Sequence, residues 1–191
     1  MQTEWEAAFW DIDKDEMRER LKALGATLVY PERLMRRVNL YLPEGNPIKG
    51  FARVRDEGDR ITMTVKDMSG TAIEEQREAE VVVDDFDRAQ DVLRALGCKD
   101  KNYQETKREL WHLNGTEVTL DEWPFIEPII EIEGHSEAEV KEVAALLGFD
   151  WKDAHFCSAD KMYMERYGVT KEFVNIEIAR LTFDIPNPFQ K

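Results

Sequence analysis

The chain has 191 residues, enough for one domain with a sizeable core, and its 42% apolar and 10% aromatic content excludes a disordered tail protein despite 35% charged residues. The net charge of −14 argues against a general binder of nucleic acid or of anionic membranes, because phosphate contacts need clustered cations. Two cysteines, Cys98 and Cys157, make no disulfide framework and point to a reducing compartment. The start of the chain is acidic and polar, and no apolar run approaches membrane-spanning length, so the expected location is cytoplasmic.

In chain order, residues 3–11 alternate in character, with Thr3, Trp5, Ala7 and Phe9 on one face and Glu4, Glu6, Ala8 and Trp10 on the other. Asp13 and Glu16 predict a capped helix with the apolar stripe Met17, Leu21 and Leu24, stopped by Gly25. A strand bent at Pro31 is expected over 26–41, and a loop over 43–47. Strands follow at 51–55 and 60–66, the second alternating Ile61, Met63 and Val65 against Arg60, Thr62, Thr64 and Lys66. A turn at Ser69-Gly70 leads to a strand over 74–83, then to a helix over 86–96 with the stripe Ala89, Val92, Leu93 and Leu96. Asn114-Gly115 predicts a tight hairpin between strands 102–113 and 117–123. A last strand over 126–133 precedes a helix capped by Ser136 and Glu139, with the stripe Val140, Val143, Ala144 and Leu147. Beyond Asp150 the pattern predicts a helix over 158–167 and a proline-interrupted tail over 183–189, read as a helical extension (150–191) of one domain, 1–191, whose core spans about 3–148.

Glu-x-Glu recurs on three of these strands, as Glu4-Trp5-Glu6, Glu78-Ala79-Glu80 and Glu131-Ile132-Glu133, each followed by an amphipathic helix ending in Leu-Gly. Each pair puts two carboxylates on one strand face. A charged strand face is ordinarily solvated. Here three amphipathic helices need an apolar sheet face to cover, so the apolar faces are expected to point outward and the charged faces to meet inside a barrel of about eight antiparallel strands, an α+β fold. Its lumen would set Glu4, Glu6, Glu78, Glu80, Asp121, Glu131 and Glu133 against Arg53, Arg55, Lys66 and Arg108. Clustered carboxylates without His or Cys ligands favour a hard cation, Mg²⁺ or Mn²⁺, and facing arginine and lysine side chains suit phosphate oxygens. Together they describe a site for a metal-bound polyphosphate.

These motifs, in this order, resemble the CYTH superfamily of triphosphate tunnel metalloenzymes, which includes class IV adenylyl cyclases, thiamine triphosphatases and inorganic triphosphatases. The similarity runs through Glu4-Trp5-Glu6 at the family's ExExK position, Asn39-Leu40-Tyr41, Arg53-Val54-Arg55, Thr64-Val65-Lys66, Glu78-Ala79-Glu80, Arg108 with Trp111, Thr119-Leu120-Asp121 and Ile130-Glu131-Ile132-Glu133-Gly134. The resemblance implies an eight-stranded antiparallel tunnel. In it Arg53, Arg55, Lys66 and Arg108 would bind phosphate, and Glu4, Glu6, Asp121, Glu131 and Glu133 would coordinate metal or orient a metal-activated water. Catalysis would rest on Glu4, Glu6, Lys66, Glu131 and Glu133, with Glu78 and Glu80 bracing the basic residues. Two departures stand out: Ala8 occupies the lysine position of ExExK, and Thr106 stands where a second basic residue would be expected beside Arg108.

The function expected is a metal-dependent hydrolase of inorganic triphosphate or a small organic triphosphate. The alternatives are a class IV type adenylyl cyclase and, because of Ala8, a non-catalytic polyphosphate or nucleotide sensor. The expected partner is the small-molecule triphosphate, with no nucleic acid and no membrane, and a homodimer is compatible with the reading. Trp10, Trp111, Trp123 and Trp151 are expected in the core or at the tunnel mouth, where one could stack on a nucleobase. His112, His135 and His155-Phe156-Cys157 are expected to be structural.

Overall fold

The protein is described here from a computed structural model that covers residues 1–68, 77–156 and 159–190. The strands are β1 (Gln2–Thr3), β2 (Trp5–Phe9), β3 (Thr27–Tyr41), β4 (Gly50–Asp56), β5 (Ile61–Asp67), β6 (Arg77–Val83), β7 (Lys99–Leu113), β8 (Thr116–Glu122), β9 (Ile129–Gly134) and β10 (Arg180–Leu181). They form one sheet in the order β1-β6-β5-β4-β3-β7-β8-β9-β2, with β10 added parallel to β7. β1 and β2 are consecutive, so the two ends of the sheet meet on one short segment: Gln2 and Thr3 pair with Glu78 and Arg77, while Trp5 to Phe9 pair with Gly134 to Ile130. Glu4 marks the crossing. The sheet thereby curls into the expected eight-stranded antiparallel tunnel, joined along one end. Along the rest of β6 it stays open, since Ala79–Val83 meets no second strand among the described residues.

The apolar faces point outward, as the helices require. α1 (Lys14–Ala23) and α3 (Glu137–Leu146) cover β2, β7, β8 and β9 through a core that includes Phe9, Leu21, Leu120, Ile130, Ile132 and Leu147. Most of these are wholly buried, and each aliphatic side chain contributes roughly 1.5–3 kcal/mol. α2 (Phe86–Ala95) lays Phe86, Ala89 and Leu93 on Val38, Leu40, Ala52 and Val54. Asp13, Asp85 and Ser136 cap the three helices by accepting backbone N–H bonds in the first turn. The hairpin turn at Asn114-Gly115 has φ of 52° and 88°, the left-handed pair that a two-residue turn between twisted strands requires.

Several expectations need correction. Leu24, Val92 and Leu96 are exposed: Leu24 and Leu96 sit at the helix C-caps, past the covered face, and Gln90 takes the buried position in α2 by donating to Phe86 O and accepting from Arg94. Residues 126–128 are not strand, because the Ile12 amide takes Pro128 O and pins that segment to the β2–α1 connection. β7 starts three residues earlier than expected, and the bend at Pro31 is a pair of register shifts against β7 around Tyr30. The Ser69-Gly70 turn, the first residues of the strand expected from 74, Cys157 and Ser158 lie outside the described residues.

The segment after α3 is structured around one tunnel mouth. A 3₁₀ turn (Trp151–Asp153) leads to His155, whose backbone exchanges two hydrogen bonds with Ala8 on the free edge of β2, at 3.0 and 2.9 Å. α4 (Asp160–Tyr167), a π-helical turn (Phe173–Glu177) and β10 follow. They build a third core in which Met162, Tyr163, Val174, Leu181 and Phe189 close over Trp123 and Ile129.

Candidate functional site: a charged tunnel with an aromatic vestibule

Alternation along β3, β4, β5, β8 and β9 brings Arg37, Arg53, Arg55, Lys66, Thr119, Glu131 and Glu133 to the inside, where they line a cavity of about 280 Å³. All the candidate residues named from the sequence meet at this tunnel or its rim, but they sort into three groups.

The first group is acidic. Carboxylate oxygens of Glu4, Glu6 and Glu133 all lie within 4.8 Å of one another. Desolvation by burial, then Glu131, raises the Glu6 carboxyl well above the usual carboxylate range. Glu133 stands at the rim, and its carboxyl is pushed up to about 7 by desolvation, then by Glu4 and Glu117. Mutual repulsion of this kind is what a divalent cation would relieve, and an all-oxygen donor set fits a hard ion. Lys66 Nζ stands 2.9 Å from Glu4 and 4.0 Å from Glu78. Burial alone would weaken its charge, but Glu6 and Glu4 override it and raise its pKa. On the rim a second cavity, about 350 Å³, is lined by Glu4, Glu78, Glu80 and Glu133 together with Met1, Thr3 and Ala79.

The second group is a clamp on Arg108. Its guanidinium donates from Nε to Asp121 at 2.7 Å and from Nη2 to both Asp121 and Glu131. Burial, then Asp121 and Glu131, set its balance: the carboxylates win and hold the guanidinium charged. Asp121 is wholly buried, and burial lifts it to about 6 even against Arg108. Burial would also raise Glu131, but Arg108 and Lys66 keep it below the usual range. The five carboxylates expected to hold metal therefore divide into three that gather within 4.8 Å of one another and two that grip an arginine.

The third group is cationic and short of partners. Arg53 and Arg55 reach Glu80 only at 3.9 and 4.0 Å, while Thr64 donates to that same carboxylate at 2.7 Å. Glu57, buried at the end of β4, takes Arg55 at 2.6 Å and Arg60 at 2.7 Å. Arg37 was not singled out in the sequence. It is 5% exposed, forms no ion pair among the described residues, lies over the Trp123 ring at 4.7 Å and donates from Nη2 to Thr106 Oγ1 at 2.6 Å. Burial, then Arg53, Arg55 and Arg108, push its pKa far down; burial and Arg55 bring Arg53 to about 10. The Nε–H groups of Arg37, Arg53 and Arg55 are buried without an acceptor. Arg37 also resolves the weakness at Thr106: the second cation beside Arg108 comes from β3, across the strand pair. The available signal was the phase of Arg37 with Asn39 and Tyr41 on one strand face.

On the side of α4 the lumen widens into a vestibule of about 520 Å³. It shares Glu6, Arg37, Arg53, Lys66, Trp123 and Glu131 with the tunnel and adds Ala8, Trp10, Tyr41, Phe51, Phe156 and residues of α4 and the π-helical turn. Trp10 stacks on His155 with centroids 3.5 Å apart, so the His155 bridge to Ala8 also fixes an aromatic wall. Arg37, Lys49, Arg53, Lys66, Lys101 and Lys171 face Glu6, Glu131 and Asp160 there, giving six cations to three carboxylates in a chain of net charge −14. Of the tryptophans, Trp10 and Trp123 stand at this mouth, whereas Trp111 is in the outer core and donates to Glu109.

The same architecture is found in solved structures. A conserved hypothetical protein from Pyrococcus furiosus is 23% identical, with 82% of this chain and 97% of that one covered at a TM-score of 0.69. A candidate adenylate cyclase from Vibrio parahaemolyticus is 13% identical, with 84% and 97% covered at 0.71. A candidate adenylyl cyclase from Hippeastrum, described as having a dominant triphosphatase activity, is 15% identical, with 87% and 97% covered at 0.56. At these identities the likeness establishes the fold. No curated protein matches the sequence. The CYTH domain model matches residues 43–162, a span that holds β4 through α3 and the first residues of α4, and with them Arg53, Arg55, Lys66 and the Arg108 clamp. The chain belongs to the CYTH domain family.

Proposed function

We propose that the protein binds a triphosphate chain in its tunnel together with a divalent cation, Mg²⁺ or Mn²⁺, and hydrolyses an organic triphosphate whose head group occupies the vestibule. The observation that carries this reading is the under-compensated cationic group lining the tunnel: Arg37 has no carboxylate within ion-pair distance among the described residues, and the Nε–H groups of Arg37, Arg53 and Arg55 are buried without acceptors. Burying guanidinium charge with so little compensation is costly, and phosphate oxygens in the lumen would offset it.

On this reading Arg37, Arg53 and Arg55 hold the phosphate oxygens, and Arg108 is aimed by Asp121 and Glu131. Glu4, Glu6 and Glu133 would hold the metal, which when bound neutralises developing phosphate charge and lowers the pKa of a coordinated water. Glu131, held ionised by Arg108 and Lys66, would orient the attacking water or take its proton. Catalysis would be mainly positional and electrostatic. The vestibule favours an organic over an inorganic triphosphate, since Trp10, Tyr41 and Phe51 offer apolar surface that phosphate alone would leave unused.

That same vestibule supports a second reading, cyclisation of a nucleoside triphosphate, in which the ribose hydroxyl replaces water. A panel of inorganic triphosphate, thiamine triphosphate and ATP with Mg²⁺ or Mn²⁺ separates the outcomes. Phosphate release supports the hydrolase, whereas cyclic AMP with pyrophosphate supports the cyclase. Tight binding without turnover under either metal would make Ala8 the mark of a sensor, and no binding of any of the three would overturn the tunnel assignment.

A further inference from the structure

β7 pairs regularly with β3 from Arg33/Arg108 to Asn39/Asn102, and then slips: Leu40 is opposed by Asp100, so that Lys101 is the extra residue of a β-bulge. Strict alternation would send Lys101 to the outer face, because Asn102 and Gln104 both point inward to hydrogen-bond Asn39. The bulge reverses this. Asp100 faces outward and pairs with Arg94 on α2, and Lys101 turns into the vestibule. Bulges beside binding sites commonly serve to re-aim one side chain in this way.

The re-aimed ammonium lies 5.8 Å from the Tyr41 ring and 5.5 Å from Phe51, and it makes no ion pair among the described residues. Lys171, by contrast, stands 3.7 Å from Asp160. Burial, reinforced by Lys171 and opposed by Asp160, weakens the charged form of Lys101. A half-buried donor with three N–H groups and two aromatic faces beside it has the chemistry to meet a flat, neutral ring that carries acceptor atoms.

We propose that Lys101 is a specificity-determining residue: it donates a hydrogen bond to a ring-nitrogen or carbonyl acceptor of a neutral nucleobase lying against Tyr41 and Phe51, and its charge disfavours triphosphates with a cationic head group. This rests on the triphosphate reading above. The excess of cations over carboxylates in the vestibule acts in the same direction, since a fixed positive charge on the head group would add to it.

The test is calorimetric titration of the wild-type chain, Lys101→Met and Lys101→Arg with inorganic triphosphate, ATP and thiamine triphosphate in Mg²⁺, after thermal melts establish that all three are folded. Methionine keeps the length and apolar stem of lysine. The expected result is that Lys101→Met loses about tenfold or more in ATP affinity, leaves inorganic triphosphate unchanged and gains affinity for thiamine triphosphate, while Lys101→Arg restores most ATP binding. ATP affinity equal to wild type in Lys101→Met would overturn the proposal. Equal losses for ATP and inorganic triphosphate would also overturn it, by making Lys101 a phosphate contact. If the wild type binds none of the three, the triphosphate reading falls first and this inference with it.

Discussion

At the scale of single residues, Arg37 and Ala8 carry the most information. A guanidinium buried among three others, with only Asp121 opposing them and no carboxylate in ion-pair range among the described residues, is an electrostatic liability to the fold. Replacing an uncompensated buried ion with an apolar side chain of similar length is commonly neutral or stabilising. Arg37→Met is therefore expected to unfold at the same or a higher denaturant concentration than the wild type, with a gain of up to about 1 kcal/mol; a clear loss would mean that Thr106 and Trp123 already satisfy the cation. Glu133 gives a pH signature. Its folded pKa of about 7 lies above its unfolded value near 4.5, so the folded chain holds a proton that the unfolded chain releases between those limits. Stability from this group is thus full below about pH 4.5 and lost as pH rises to about 7, and Glu6 acts in the same direction. In the presence of a chelator, the melting temperature of Glu133→Gln is expected to fall less than that of the wild type between pH 5 and 8. Identical slopes would show that Glu133 does not sense its acidic neighbours. Ala8 was legible from the sequence as a missing cation, and Thr106 as another. What the sequence concealed was the remedy for Thr106, because a side chain reaching across from β3 leaves no mark in the pattern of β7.

At the scale of elements, the strands with strict alternation were legible because a one-residue slip would expose an apolar face, so pattern and pairing enforce each other. Helix positions followed from their caps, whereas Val92 and Leu96 were misassigned because periodicity identifies an apolar stripe but not where the covering strand ends. The helix expected over 158–167 is α4, but the bulge at Lys101, the His155 bridge and β10 were illegible for a related reason: all are set by tertiary pairing, with β10 docking on β7 and His155 on Ala8. Phe189 anchors the last segment. It stacks on Tyr163 and Tyr167 at 4.7 and 4.8 Å and meets Phe125 and Phe173 edge-on. Phe189→Ala is expected to cost about 3–5 kcal/mol at that anchor. Because α4 floors the vestibule and not the tunnel, the variant should lose ATP affinity while keeping affinity for inorganic triphosphate. Parallel losses for both ligands would show that the tunnel depends on the C-terminal segment for its own shape.

At the scale of the whole molecule, the tunnel is polarised. One rim is lined by Glu4, Glu78, Glu80 and Glu133, and the other mouth carries a cation excess, although the protein as a whole is strongly acidic. Such a field steers an anion toward the vestibule and away from the rest of the surface. Lys49→Glu, a change at an exposed position of that mouth, is expected to slow ATP association several-fold and to weaken its salt dependence, with little effect on dissociation. Stopped-flow traces showing an unchanged association rate would contradict entry by that route. The central expectation is that the under-compensated guanidinium groups of the tunnel, Arg37 foremost, bind a triphosphate. Its most direct test is calorimetric titration of the wild type and Arg37→Met with inorganic triphosphate in Mg²⁺. One triphosphate is expected to bind per chain of the wild type, with affinity lower by about 10- to 100-fold in a variant that melts no lower. Absence of binding by the wild type, or equal affinity in both proteins, would contradict it.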